Sequence, residues 1–241
     1  TNESTIVMGT GASASVSLAR DPNVSITALS SNGVGSNPLS VTISADGTSV
    51  YAANYDSDTV SMFSRDTSTG ALTALGTRDI ATGVQPYAIA ISPDGTSAYV
   101  ANSSSTASSV SLYSRNTGTG ALTALATSTV AAQASPRGIA ISPNSASVYV
   151  TNYASSTVSM YSRNASNGDL TPLATPTIAT GVNPVGIAIS PDGTSAYVAN
   201  YGADNVHKYS RNTTTGALTA LDPPTIAAST DPFGVAISAN G

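Results

Sequence analysis

Short runs of β-branched and small residues recur along the chain. Each leads into a turn of the Pro-Asp-Gly type and then into a second run that ends in asparagine. Four such segments align without gaps: PLSVTISADGTSVYAANY from Pro38, PYAIAISPDGTSAYVANS from Pro86, PRGIAISPNSASVYVTNY from Pro136 and PVGIAISPDGTSAYVANY from Pro184. A fifth copy opens at Pro232, and the prolines are spaced by 48, 50, 48 and 48 residues. The two extra residues of the second unit fall in the serine-rich run Ser103 to Ser109, where a loop absorbs them.

Within the unit from Pro184, Ile187 to Ser190 reads as a strand and Pro191-Asp192-Gly193 as a turn. Ser195 to Tyr201 is a second strand and Val206 to Arg211 a third. A fourth begins at Ala217, after the turn Asn212 to Gly216. Large residues alternate with small ones, as in Tyr197-Val198-Ala199, so both faces of the resulting sheet are expected to be buried. A β-propeller meets that demand, because each blade packs between two others.

The chain is therefore expected to be all-β: a five-bladed β-propeller of four-stranded antiparallel blades, forming one domain over 1–241. The blades are placed at 38–85, 86–135, 136–183, 184–231, and 232–241 plus 1–37. The final segment PFGVAISANG supplies only an inner strand. The first 37 residues contain three further strands, Thr5 to Thr10, Ser15 to Arg20 and Ser25 to Ser30. Strand Val235 to Ser238 is expected to pair beside Thr5 to Thr10, so that the C-terminal strand joins the N-terminal blade and hides both open edges.

Composition narrows the function classes. With 9% charged residues, a single lysine (Lys208) and a net charge of −5, there is no basic surface to neutralise phosphates, and nucleic acid is excluded as a partner. No apolar run is long enough for a membrane helix, so no membrane insertion is expected. Absence of cysteine removes disulfides, thiolate nucleophiles and cysteine-ligated metals. Scarce lysine with abundant serine, threonine, asparagine and alanine points to an extracellular or cell-surface location, with the periplasm as alternative.

The motifs PDGTSAYVANY, VSMYSR and NTTTGALTAL resemble the YVTN-repeat and lactonase-like β-propeller family, over about four fifths of the chain. The resemblance implies the propeller fold. It also implies one of two roles, since similar blades occur in cell-surface proteins and in seven-bladed enzymes that open or form lactones. Those enzymes carry acid, arginine and histidine groups around the axial channel, and that set does not transfer position for position onto this sequence.

Residues repeated in every blade are read as scaffold. Asp46, Asp94 and Asp192 cap a hairpin turn. Asn54, Asn102, Asn152 and Asn200 are expected to bond the backbone of the adjoining loop. Arg20, Arg65, Arg115, Arg163 and Arg211 are expected to be solvated or locally paired strand ends.

Positions that vary inside the constant frame are the site candidates. The residue after each blade proline is Leu39, Tyr87, Arg137, Val185 or Phe233, and blade topology gathers these at the channel mouth as ligand-binding candidates. His207 and Lys208 replace Ser-Met or Ser-Leu in the third strand. Asp56, Asp58 and Asp204 offer oxygens suited to a hard cation such as calcium, and no other cofactor is implied.

The leading expectation is a non-enzymatic exported propeller that acts as a binding or assembly module, with a glycan, a protein or further copies of itself as partner. The alternative is a lactonase-like hydrolase with its site at the channel mouth, using Arg137, His207 and Asp204.

Overall fold

The structure is a computed structural model and describes residues 33–239, all within the unit Asn32–Gly241. Four four-stranded antiparallel sheets follow one another, each a simple meander. The first holds β1 (Pro38–Ile43), β2 (Ser49–Asn54), β3 (Thr59–Arg65) and β4 (Leu72–Ala81). The second holds β5 (Pro86–Ile91), β6 (Ser97–Asn102), β7 (Ser109–Arg115) and β8 (Leu122–Ala131). The third holds β9 (Pro136–Ile141), β10 (Ser147–Asn152), β11 (Thr157–Arg163) and β12 (Leu170–Ala179). The fourth holds β13 (Pro184–Ile189), β14 (Ser195–Asn200), β15 (Asn205–Arg211) and β16 (Leu218–Ala227).

The inner strands are neighbours in chain order: β1 beside β5, β5 beside β9, and β9 beside β13. The arrangement is propeller-like, with four blades among the described residues. The expected fifth blade, and the pairing of Val235 to Ser238 with Thr5 to Thr10, depend on residues outside that range. Residues 232–239 lie beside β13. A Cβ added at Gly186 would stand 2.9 Å from the Phe233 carbonyl oxygen, just as one added at Gly138 would stand 2.1 Å from that of Val185.

Alternation of large and small residues has the predicted effect. Every residue of β2, β6 and β10 is buried. The core consists of layers between blades: Tyr51, Val60 and Met62 of the first blade pack with Ile89, Val100 and Tyr113 of the second. The same contacts recur one blade on, through Tyr99, Val110 and Leu112 against Val148, Val150 and Tyr161. Each such side chain contributes roughly 1.5–3 kcal/mol when fully buried.

Polar groups lock the same interfaces, and here the expectation for the arginines is corrected. Arg115, Arg163 and Arg211 are not solvated strand ends but buried groups that reach back to the preceding blade. Arg115 Nε donates to the Tyr51 hydroxyl at 2.7 Å, and that hydroxyl donates to the Gly120 carbonyl at 2.7 Å. Arg163 repeats this with Tyr99, and Arg211 with Tyr149. The turn aspartates complete the joint: Arg115 pairs with Asp46 at 3.0 Å and Arg163 with Asp94 at 2.8 Å. Arg211 has no such carboxylate, because the third blade carries Asn144 in that slot. Arg65, with no preceding blade among the described residues, donates to the Gly47 carbonyl of its own blade.

The aspartates also cap their turns as expected, Asp46 Oδ1 accepting the Thr48 amide at 3.0 Å. The asparagines behave differently from expectation. Asn54, Asn102 and Asn152 donate from Nδ2 to the third-strand hydroxyls of Ser61, Ser111 and Ser159, each at 2.9 Å, and not to loop backbone.

Candidate functional site

Because the strands of a meander alternate in direction, each blade places two kinds of loop at the same end. One joins the second strand to the third, and the other joins the blade to its successor. At this joining end the residue before each blade proline is left-handed: Asn37, Gln85, Ser135, Asn183 and Asp231 have φ between 52° and 58°. Proline disfavours helical backbone in the residue before it, so the loop needs anchoring. The neighbouring loop supplies it. Asp58 Oδ1 accepts the Gln85 amide at 2.7 Å, and Asp204 Oδ1 accepts the Asp231 amide at 2.8 Å.

That geometry bears on the calcium candidates. Asp58 and Asp204 act as loop anchors on the first and fourth blades, whose inner strands are not neighbours in the described run. Asp56 is exposed beside Asp58, and among the described residues no three acidic or histidine side chains group together as a metal site.

The variable residues after the blade prolines build a row at the joining end. Tyr55, directly after the asparagine of β2, meets Tyr87 edge-on at 6.3 Å between ring centroids. The Arg137 guanidinium lies 4.9 Å from the Tyr87 centroid and 3.4 Å from that of Tyr153. Tyr153 meets Tyr201 at 6.5 Å, and Tyr201 meets Phe233 edge-on at 6.5 Å. Five aromatic rings and one guanidinium thus run continuously from the first blade to the segment after the fourth.

Arg137 is held this way because of its neighbour in the second blade. In the first and fourth blades the loop tyrosine covers the residue after the next proline: Tyr55 covers Tyr87, and Tyr201 covers Phe233. The second blade has Ser103 in the tyrosine position, too short to cover Arg137. The guanidinium packs on the tyrosine of its own blade instead, a cation–π contact worth about 2 kcal/mol when desolvated. Among the described residues Arg137 makes no hydrogen bond, and its Nε is buried without a partner.

Of the five predicted ligand-binding residues, Tyr87 and Arg137 touch directly. Phe233, 55% exposed, joins through Tyr201 and Tyr153. Leu39 is exposed and makes no ring contact, whereas Val185 is buried and its carbonyl accepts the Thr151 hydroxyl at 2.8 Å. Tyr55, Tyr153 and Tyr201 escaped the sequence reading. Their signal was the Asn-Tyr pair that ends the second strand in the first, third and fourth units and becomes Asn-Ser in the second.

The three residues of the proposed hydrolase set do not meet. His207 is a half-buried third-strand residue stacked on Tyr209, with 5.4 Å between centroids and 19° between planes. Its Nδ1 is buried without a partner, and burial pushes its pKa below the ordinary histidine value. It occupies the slot of Ser61, Ser111 and Ser159, so Asn200 loses that hydroxyl and donates to Asn205 Oδ1 at 2.8 Å while accepting from Thr180 Oγ1 at 2.9 Å. Among the described residues no hydrogen bond, ion pair or ring contact joins His207 or Asp204 to Arg137. Burial also raises the pKa of the Tyr87 hydroxyl, an effect the nearby Arg137 charge opposes.

The opposite, turn end carries a shallow depression lined by Pro93, Asp94, Pro143, Asn144, Ser145 and Arg163. Its charged groups, Asp94 and Arg163, are already bonded to each other. Free bonding capacity with adjacent ring surface is found at the joining end.

Successive four-stranded blades, with an unpaired guanidinium beside tyrosine rings at the end where their joining loops gather, define a propeller-like protein. The family model described as "Lactonase, 7-bladed beta-propeller" matches residues 23–85 and 76–180, and the chain belongs to that family. Similar solved structures include two candidate 6-phosphogluconolactonases. The one from Bacteroides uniformis has a TM-score of 0.71 at 22% identity, covering 81% of this chain and 56% of its own. The one from Bacteroides fragilis has a TM-score of 0.71 at 24% identity, covering 80% and 55%. A periplasmic gluconolactonase from Pseudomonas aeruginosa follows at a TM-score of 0.50 and 17% identity, covering 83% and 72%.

These likenesses show the fold, and the chain spans about half the length of the first two. No curated protein matches the sequence. Family membership corrects the leading expectation: a lactonase family model over most of the blades points to a lactonase-like hydrolase and away from a non-enzymatic binding or assembly module. No helix among the described residues is long and apolar enough to cross a membrane.

Proposed function

We propose that the chain is a lactonase-like hydrolase that binds its lactone at the joining end, on Arg137. The observation that carries this reading is the Arg137 guanidinium, 4.9 Å from the Tyr87 ring centroid and 3.4 Å from that of Tyr153, with no hydrogen bond or ion pair among the described residues. Hydrolysis adds water to the lactone carbonyl carbon, breaks the ring C–O bond and yields a hydroxy acid. Negative charge gathers first on the carbonyl oxygen and then on the product carboxylate. In-plane N–H donors of a fixed guanidinium suit both, and cost little reorganisation because the rings already hold the group. In this reading His207 is a packing residue, and Asp58 and Asp204 hold the loops that shape the face. The names of the three structural relatives, two candidate 6-phosphogluconolactonases and a gluconolactonase, support the same reaction class.

The test is opening of glucono-δ-lactone, followed by acid release against the spontaneous rate. Arg137→Met is expected to lower kcat/KM by about 10²-fold in a variant that still unfolds cooperatively. A wild-type rate equal to the spontaneous one, or full activity in Arg137→Met, overturns the proposal.

We also propose that residues 232–241 with 1–37 form a fifth blade that closes the propeller, fewer than the seven of the family description. Support comes from both ends of the described run. Val41 of β1 is 44% exposed where its counterpart Ile89 of β5 is 5% exposed, Ile43 is 49% exposed where Ile91 is half-buried, and Tyr197 holds the interblade tyrosine position without a partner among the described residues. Removing residues 1–32 is expected to lower the melting temperature and broaden the transition. Unfolding identical to that of the full chain would argue against closure.

A further inference from the structure

Charge and ring surface at the joining end carry information about the lactone itself. Asp56, Asp58, Asp204 and Asp231 lie in the loops of this end, against the single guanidinium of Arg137. Arg78, on outer strand β4, is tied to Asp79, and Lys208 is half-buried on β15 opposite Tyr197. A phosphate dianion is recognised by several cationic or backbone donors converging on it, and among the described residues the loops of this end carry four aspartates and one arginine. One guanidinium is enough for an uncharged lactone carbonyl.

The row does not stop at Arg137. Tyr201 and Phe233 continue it at 6.5 Å steps, about the breadth of a sugar ring. Phe233, in the segment that follows the fourth blade, is 55% exposed among the described residues. A single lactone ring seated on Arg137 leaves those rings unused, whereas a longer sugar brings its C–H faces onto them.

Resting on the lactonase reading, we infer that the substrate is an uncharged aldonolactone that carries at least one further sugar ring. The lactone sits at Arg137 and the attached sugar lies along Tyr201 and Phe233. Because the Tyr201 and Phe233 rings stand at 87° to each other, a sugar face stacks on one and meets the other at its edge, and contacts of this kind, on the order of 1 kcal/mol each, give about a tenfold preference.

The experiment compares kcat/KM, each above its spontaneous rate, for cellobiono-δ-lactone, glucono-δ-lactone and 6-phosphoglucono-δ-lactone. Cellobiono-δ-lactone is expected to exceed glucono-δ-lactone by about tenfold, with the phosphorylated lactone lowest, and Phe233→Ala is expected to bring the ratio of the two neutral lactones towards one. Equal values for the two neutral lactones, or preference for the phosphorylated one, overturn the inference. Calorimetric binding of the stable products cellobionate and gluconate separates this failure from failure of the enzyme reading. Tighter binding of cellobionate without turnover removes the hydrolase and keeps the sugar track; equal binding removes the track.

Discussion

Arg163 Nε donates to the Tyr99 hydroxyl oxygen across 2.9 Å, from the third blade back to the second, and the same hydroxyl donates at 2.6 Å to the Gly168 carbonyl. One oxygen therefore serves both blades. Tyr99→Phe keeps the ring and removes the oxygen, leaving a guanidinium nitrogen and a carbonyl unpaired in a buried layer. Urea unfolding is expected to show a loss of about 1–3 kcal/mol. An unchanged midpoint would mean that the layer is held by apolar packing alone.

Backbone approach between inner strands sets a second limit. A Cβ at Gly138 would stand 2.1 Å from the Val185 carbonyl oxygen, a contact that only movement of β9 against β13 relieves. Gly138→Ala is expected to cost about 1–3 kcal/mol by overpacking. Gly76→Ala on β4, where a Cβ meets nothing within 4 Å, provides the control. Equal melting temperatures for the two variants would contradict the close approach.

Acid sensitivity follows from the turn aspartates. The Ser44 hydroxyl, the Thr48 amide and hydroxyl, and Arg115 of the next blade hold the Asp46 carboxyl well below the usual carboxylate range. A folded-state pKa below the unfolded value stabilises the fold above the unfolded pKa, and this contribution is lost as pH falls from there towards the folded pKa. Melting temperature is expected to fall steeply below about pH 4. Asp46→Asn should flatten that limb, and an identical slope in the variant would assign the acid loss to other groups.

His207 titrates in the opposite range of use. Burial lowers its folded pKa, so the unfolded chain takes up the proton first and stability drops as pH falls through about 6.5. His207→Ser restores the hydroxyl that Asn200 lacks relative to Asn54, Asn102 and Asn152. The variant is expected to melt higher at pH 5.5 than the wild type, with the gap narrowing at pH 8. A gap that is constant with pH would remove histidine titration as its cause.

The blades were legible in the sequence because their signal is repeated and local. Proline, turn aspartate and second-strand asparagine mark each unit, and a loop insertion such as that at Ser103 to Ser109 does not blur it. What escaped was contact between units. Arg115, Arg163 and Arg211 look like strand ends within their own blades, and become buried because a tyrosine of the preceding blade, with an aspartate for the first two, meets them 62 to 69 residues earlier. The site divided in the same way. Arg137 stood out as a break in the repeat, but the rings that hold it come from its own second-to-third-strand loop and from the blade before. His207 broke the repeat just as plainly, yet its partner is Tyr209, two residues along the same strand.

Each unit presents its tyrosine and turn residue on one side and its arginine on the other, so every joint is made from the leading half of one unit and the trailing half of the next. Duplication or loss of one whole unit leaves every remaining joint with both halves. A lineage built on such a unit can change its number of blades in a single genetic step without inventing a new interface. A residue such as Arg137 can then specialise in one copy while the other copies go on carrying the architecture.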